Sequence, residues 1–163
     1  MNKTYHLALM GVLTALLFMG QVIMAVLPNI EIISLLIILY TIFFGRKVFW
    51  MIYVFVFLEG FLYGFGIWFF NYLYVWTVLA LVCLPFRKNC SPLFWSIVSG
   101  FFGLFFGTLC TLPYLITGGP AAAFSYWVSG LGFDITHCIG NVALCLILFK
   151  PLYSLLEKAV SRT

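Results

Sequence analysis

Charge is what this chain has least of, and acid is scarcer than base: eight Lys and Arg stand against four Asp and Glu in 163 residues. A soluble domain carries about 25% charged residues, whereas here 7% are charged and 65% are apolar. That shortage excludes a water-soluble globular fold, because so much apolar surface has nowhere to hide from water. The net charge of +4 is spread over short breaks and offers nothing to nucleic acid. Catalytic signatures are missing as well: there is no GxxxxGK[ST], no HExxH and no Ser or Cys nucleophile elbow, so the chain is not read as an enzyme. Cys83, Cys90, Cys110, Cys138 and Cys145 lack CxxC spacing and mostly sit in apolar runs, where they read as small packing residues. No cofactor and no metal is called for.

What the chain does have is a series of apolar runs whose breaks alternate in charge. Lys3, Arg46 with Lys47, Arg87 with Lys88, and Lys150, Lys158 and Arg162 occupy one set of breaks; Pro28-Asn29, Tyr63 to Gly66 and Thr117 to Pro120 form the other and carry no base. Basic residues are retained on the cytoplasmic side of a membrane. The alternation therefore predicts an all-α membrane protein with six transmembrane helices and both termini cytoplasmic. At about 20 residues per span, residues 1–163 make a single six-helix membrane domain with no room for a soluble one. The first run lacks a small-residue cleavage site and is kept as helix one rather than a signal peptide. Its basic loops also suit anionic headgroups of membrane lipids.

Helix one is expected over about Leu7 to Leu27, ended by Pro28, and helix two over about Ile30 to Phe44, opened by Glu31 at the positive end of the helix dipole. Gly60, Gly64 and Gly66 divide the next run into helix three, about Val48 to Tyr63, and helix four, about Ile67 to Leu84. Helix five covers about Leu93 to Ile116. The run from Ala121 to Phe149 is too long for one span, about 42 Å against a core of roughly 30 Å. Gly130 and Gly132 are expected to split it into an interfacial segment holding Tyr126 and Trp127, with loop five lying over the outer mouth, and a sixth span from about Leu131 to Phe149, stopped by Lys150-Pro151. Ser99, Gly103, Gly107 and Thr111 recur every fourth residue on helix five, a stripe that lets two backbones approach, read here as packing within the bundle.

Glu31, Glu59 and Asp134 fall within or at the outer ends of these runs. A charge near the bilayer centre costs roughly 2.5 to 3.5 kcal/mol on insertion scales, so each acid is expected to face the interior, a cavity or a partner. No Lys or Arg lies in that half to pair with them. Glu59 stands about 16 Å along helix three from Val48, beyond the midplane. Asn71 lies near the same level, and His137 and Asn141 follow Asp134 at i+3 and i+7 on one helical face. With Trp68, Tyr72, Tyr114, Tyr126 and Trp127 at similar depth, these residues predict a binding cavity for a small planar molecule, aromatic and neutral or cationic. Taken singly, the aromatics are ordinary interfacial belt residues, His137 is a hydrogen-bonded core histidine and Asn141 a helix bridge. A metal held by Asp134, His137 and Glu59 or Glu31 ranks below an organic ligand.

The small-residue start ALMGVLTAL, the turn LPNIEI, the aromatic stretch YGFGIWFFNYLYVW and the ending FDITHCIGNVALCLILFKPL together make the chain resemble the substrate-binding S component of an energy-coupling factor (ECF) transporter of bacterial cell membranes. The resemblance implies a subunit that captures a vitamin-like micronutrient from outside and joins a transmembrane coupling protein with two ATPase subunits, in keeping with the missing ATPase motif. It further implies that Ala8, Gly11 and Ala15 on helix one dock the coupling protein, with Gly11 where the family has Ala. The substrate-binding residues on this reading are Glu31, Glu59, Trp68, Asn71, Tyr72, Trp127, Asp134, His137 and Asn141. The alternative is a non-transporting membrane scaffold of the MreD-like type.

Overall fold

A computed structural model describes residues 3–27 and 30–161; Pro28, Asn29 and Arg162, on which sequence expectations fell, lie outside the described residues. The described chain is helical, without strands. Six α-helices follow in order: α1 (Lys3–Met24), α2 (Ile33–Phe44), α3 (Val48–Tyr63), α4 (Ile67–Cys83), α5 (Pro92–Cys110) and α6 (Leu112–Ser161). Among the described residues, five apolar helical stretches are long enough to cross a membrane, one of them Ile33–Tyr63, which contains both α2 and α3. This is consistent with a membrane protein.

A helix that is apolar on every side belongs in the middle of a bundle, and α2 meets that condition: each residue from Ile33 to Thr41 is buried. It packs against all five other helices. Gly45, at φ +55°, turns the chain from α2 into α3, a conformation that needs no Cβ, and the Arg87 side chain fills the space beside it. Gly64, at φ +85°, closes α3 in the same way and returns its N–H to the Gly60 carbonyl. Ser91 caps α5 by accepting the Phe94 N–H, with Pro92 in the first helical position.

The helix order places all the described basic residues at one end of the bundle. Contacts across that end agree: the Tyr5 hydroxyl donates to the Ala159 carbonyl, and Cys90 meets the Tyr153 hydroxyl. The opposite end carries the α1–α2 and α3–α4 connections and the start of α6.

Boundaries of α3 and α4 fall where the glycines predict them, but the last third of the chain differs. The break lies at Gly119, at φ +75°, followed by Pro120; Gly130 and Gly132 are helical, and from Pro120 the helix continues past Lys150-Pro151 to Ser161. A glycine lowers helix propensity by only about 1 kcal/mol, and the inner face of the same helix is held by the hydrogen bonds of Asp134, His137 and Asn141 and the packing of Cys145 and Phe149. Pro151 is exposed, so the lost donor and ring clash fall on an open face. Among the described residues, the stretch expected to form loop five is helical apart from the break at Gly119. Helix five, expected to reach Ile116, is assigned to Cys110, but Thr111 keeps helical dihedrals and the helical backbone runs on through the first residues of α6 to the break at Gly119.

The stripe on α5 packs within the molecule. A Cβ at Gly103 would lie 2.9 Å from the His137 backbone, and one at Gly107 would strike the Asp134 carboxylate. By contrast, Gly130 and Gly132 have nothing within 4 Å of an added Cβ. In thermal unfolding in detergent, Gly130→Ala and Gly132→Ala are therefore expected to be neutral or to stabilise by up to about 1 kcal/mol. Gly119→Ala, at positive φ, should lower Tm. The reverse order would place the break back at Gly130.

Candidate functional site

The first turn of α2 presents backbone N–H groups with no partner inside the helix. Glu31 supplies one: its carboxylate accepts the Ser34 N–H at 2.8 Å and the Ser34 hydroxyl. A negative group suits this positive pole. Glu31 Oε1 also lies 3.0 Å from His137 Nε2 on α6, so the acid has a basic partner that a search for Lys and Arg misses. One turn further along α6, Asn141 Nδ2 donates to the Ser34 hydroxyl and to the Ser99 carbonyl of α5, both at 3.2 Å. His137 rests edge-on against Phe106, with ring centres 4.9 Å apart. Three helices are joined through this one buried chain of polar groups.

Two cavities adjoin it. The first, of about 280 Å³, is lined by Gln21, Glu31, Tyr72, Trp76, Phe106 and His137 together with Met24 at the end of α1 and apolar residues of the connection to α2. The second, of about 260 Å³, is lined by Gln21, Ala25, Glu59, Tyr63, Trp68 and Tyr72. Gln21, Ala25 and Tyr72 belong to both, and the Gln21 amide donates to the Tyr72 hydroxyl at 3.4 Å, a long contact that partitions the two spaces. Trp68, Tyr72 and Trp76 recur every fourth residue on α4, so one face of that helix carries an aromatic ladder. Successive rings meet edge to face, with centres 5.4 Å apart in each step.

The two glutamates differ in their surroundings. Glu31 sits at the start of a helix and is held by donors. Glu59 stands one turn from the end of α3, toward the negative pole, is 2% exposed, and has its Oε1 buried without a hydrogen-bond partner among the described residues. Trp76, on the wall of the first cavity, likewise has a buried indole N–H with no partner among them.

The other expected site residues lie elsewhere. Asp134 Oδ1 accepts the Gly107 N–H at 2.9 Å, and its carboxylate fills the space where Gly107 has no side chain. Asn71 Oδ1 accepts the Tyr74 hydroxyl at 2.9 Å, itself 2.7 Å from the Leu109 carbonyl. Trp127 donates to the Thr108 hydroxyl, and Tyr114 stacks on Tyr126 with centres 4.0 Å apart. The Asp134, Tyr74 and Trp127 contacts tie α5 to α6 or α4, the Asn71 bond and the Tyr114–Tyr126 stack lie within α4 and α6, and Asn71, Trp127 and Asp134 line neither cavity. Asn141 lies behind the first cavity, within the polar chain. The expected ring thus resolves into Glu31, Tyr72 and His137 on one cavity and Glu59, Trp68 and Tyr72 on the other. Gln21, Ser34 and Trp76 carry no expectation from sequence, and Ser99 is expected there only as a packing residue. An amide inside an apolar run was a signal for Gln21, and the i, i+3 spacing from Glu31 was one for Ser34.

Among the described residues, no three His, Cys, Asp or Glu gather as metal ligands. The site offers hydrogen-bonding groups and aromatic faces around one paired and one unpaired carboxylate, a composition for binding a small organic molecule. No protein-family model, curated protein or solved structure matches the chain.

Removing one member of a buried pair leaves the other uncompensated. Glu31→Gln and His137→Gln are each expected to lower stability, and the double variant to lose less than their sum by about 1 to 3 kcal/mol, measured as a double-mutant cycle in detergent. Additive losses would separate the two side chains.

Proposed function

We propose that this chain is the substrate-capturing S component of an ECF-type importer in a bacterial cell membrane. On this reading α1 to α6 each cross the bilayer and both termini are cytoplasmic, as the basic residues gathered at one end favour. The two cavities then open toward the outside. The chain does no chemistry itself: it holds a vitamin-like micronutrient, and a transmembrane coupling protein with two ATPase subunits supplies the energy.

The observation that carries this reading is the pair of adjoining cavities at the end opposite the basic residues, walled by aromatic rings and holding a carboxylate whose Oε1 has no hydrogen-bond partner among the described residues. Intramembrane acids are expensive and tend to mark ligand or ion pathways. A second feature supports it. Ala8, Gly11 and Ala15 are exposed on α1, and nothing lies within 4 Å of a Cβ added at Gly11, so α1 offers a smooth surface on which another helix packs closely. The exposed α1 face alone would equally serve the scaffold alternative, which needs no ligand.

Purified protein is expected to show a ligand-dependent rise in Tm with at least one member of a panel of vitamins and related ring compounds. Gly11→Leu should keep that rise while losing association with the coupling protein and uptake in cells. A wild-type protein that melts cooperatively and responds to no member, yet whose α1 surface is needed for growth, would favour the scaffold.

A further inference from the structure

The three carboxylates at the cavity end have unequal local compensation, and the inequality specifies a ligand. Glu31 is met by His137 and by two donors from Ser34. Asp134 receives the Gly107 N–H, and although its Oδ2 has no partner among the described residues, a Cβ at Gly107 would already collide with the group, so no ligand atom fits between it and α5. Glu59 has neither an ion-pair partner nor, at Oε1, a hydrogen bond among the described residues, though it is 2% exposed and lines a cavity. Its place near the C-terminal end of α3 adds the negative pole of that helix to its own charge. An unpaired buried carboxylate is costly, and a cation entering the cavity compensates both negative sources at once.

The walls suit the same guest. Tyr63, Trp68 and Tyr72 line the cavity with Glu59, and aromatic faces attract cations. Past the Gln21–Tyr72 contact, the first cavity is bordered by Trp76, whose buried indole N–H has no partner among the described residues, and by the hydrogen-bonded Glu31–His137 pair. A guest carrying a hydrogen-bond acceptor would supply the partner that this N–H lacks.

Resting on the capture reading above, we propose that the substrate is an elongated organic cation: a protonated amine or cationic heteroaromatic ring held by Glu59 among Tyr63, Trp68 and Tyr72, joined to a neutral acceptor-bearing part that reaches Trp76 beyond Gln21. Gln21 and Tyr72 divide the site between the two parts, and the contact between them must open for a molecule to occupy both.

The test uses matched probes on the purified full chain in detergent, read by thermal shift and titration calorimetry. Thiamine, pyridoxamine and 1-methylnicotinamide are the cations; pyridoxine and nicotinamide are the neutral counterparts. At least one cation is expected to bind more tightly than any neutral probe. Glu59→Gln, which keeps the shape and removes the charge, should weaken that cation roughly tenfold to a hundredfold, while leaving the ligand-free protein as stable as wild type or more so. Trp76→Phe should weaken the probe's binding but retain the preference for cations. Tighter binding of a neutral probe, unaffected by Glu59→Gln, would overturn the cation assignment and leave the capture reading standing. A monodisperse wild-type protein that binds no probe at millimolar concentration would overturn both.

Discussion

Where water is excluded, a polar group must find its partner within the protein or a bound molecule, and the chain from Glu31 through Ser34, His137 and Asn141 to the Ser99 carbonyl answers most of that constraint, leaving the Asn141 Oδ1 and the Ser99 hydroxyl without a partner among the described residues. It anchors the N-terminal end of α2, the buried centre of the bundle, to α5 and α6. Because α2 is apolar on all sides, van der Waals contact alone would let it slide or rotate at small cost. A charged cap at one end, bound to a histidine on another helix, fixes both its height and its rotation.

The α5–α6 pair is built on a related principle. Glycines on α5 bring the two backbones close enough for a carboxylate on α6 to reach a backbone N–H, so Asp134 Oδ1 is taken up by architecture. The same closeness sets His137 against Phe106 and Asn141 against Ser99, which positions the polar chain at the cavity wall. Packing in one pair of helices thus determines which acids remain available for binding in another.

Much of the helical plan was legible in the sequence, because Gly64 and Gly66 interrupt a continuous apolar run and the basic breaks alternate with neutral ones. The last third was not. Gly130 and Gly132 look like breaks in isolation, and only the burial of residues from the same helix on its other face explains why they are not. Within the site, Glu59 and Asp134 carry the same signature in one dimension, an acid in an apolar stretch. Their difference depends on what lies opposite: Gly107 for one, empty space walled by rings for the other. Glu31 was expected without a base because a histidine 106 positions away shares no local pattern with it.

The aromatic ladder of α4 gives the molecule a built-in optical reporter. Two of its five tryptophans, Trp68 and Trp76, border the two cavities, one on each, with Tyr72 between them. Any ring that settles beside either indole alters its polarity and its route for losing excited-state energy. Occupancy of each compartment is therefore written into the intrinsic fluorescence of the native chain, with no label attached.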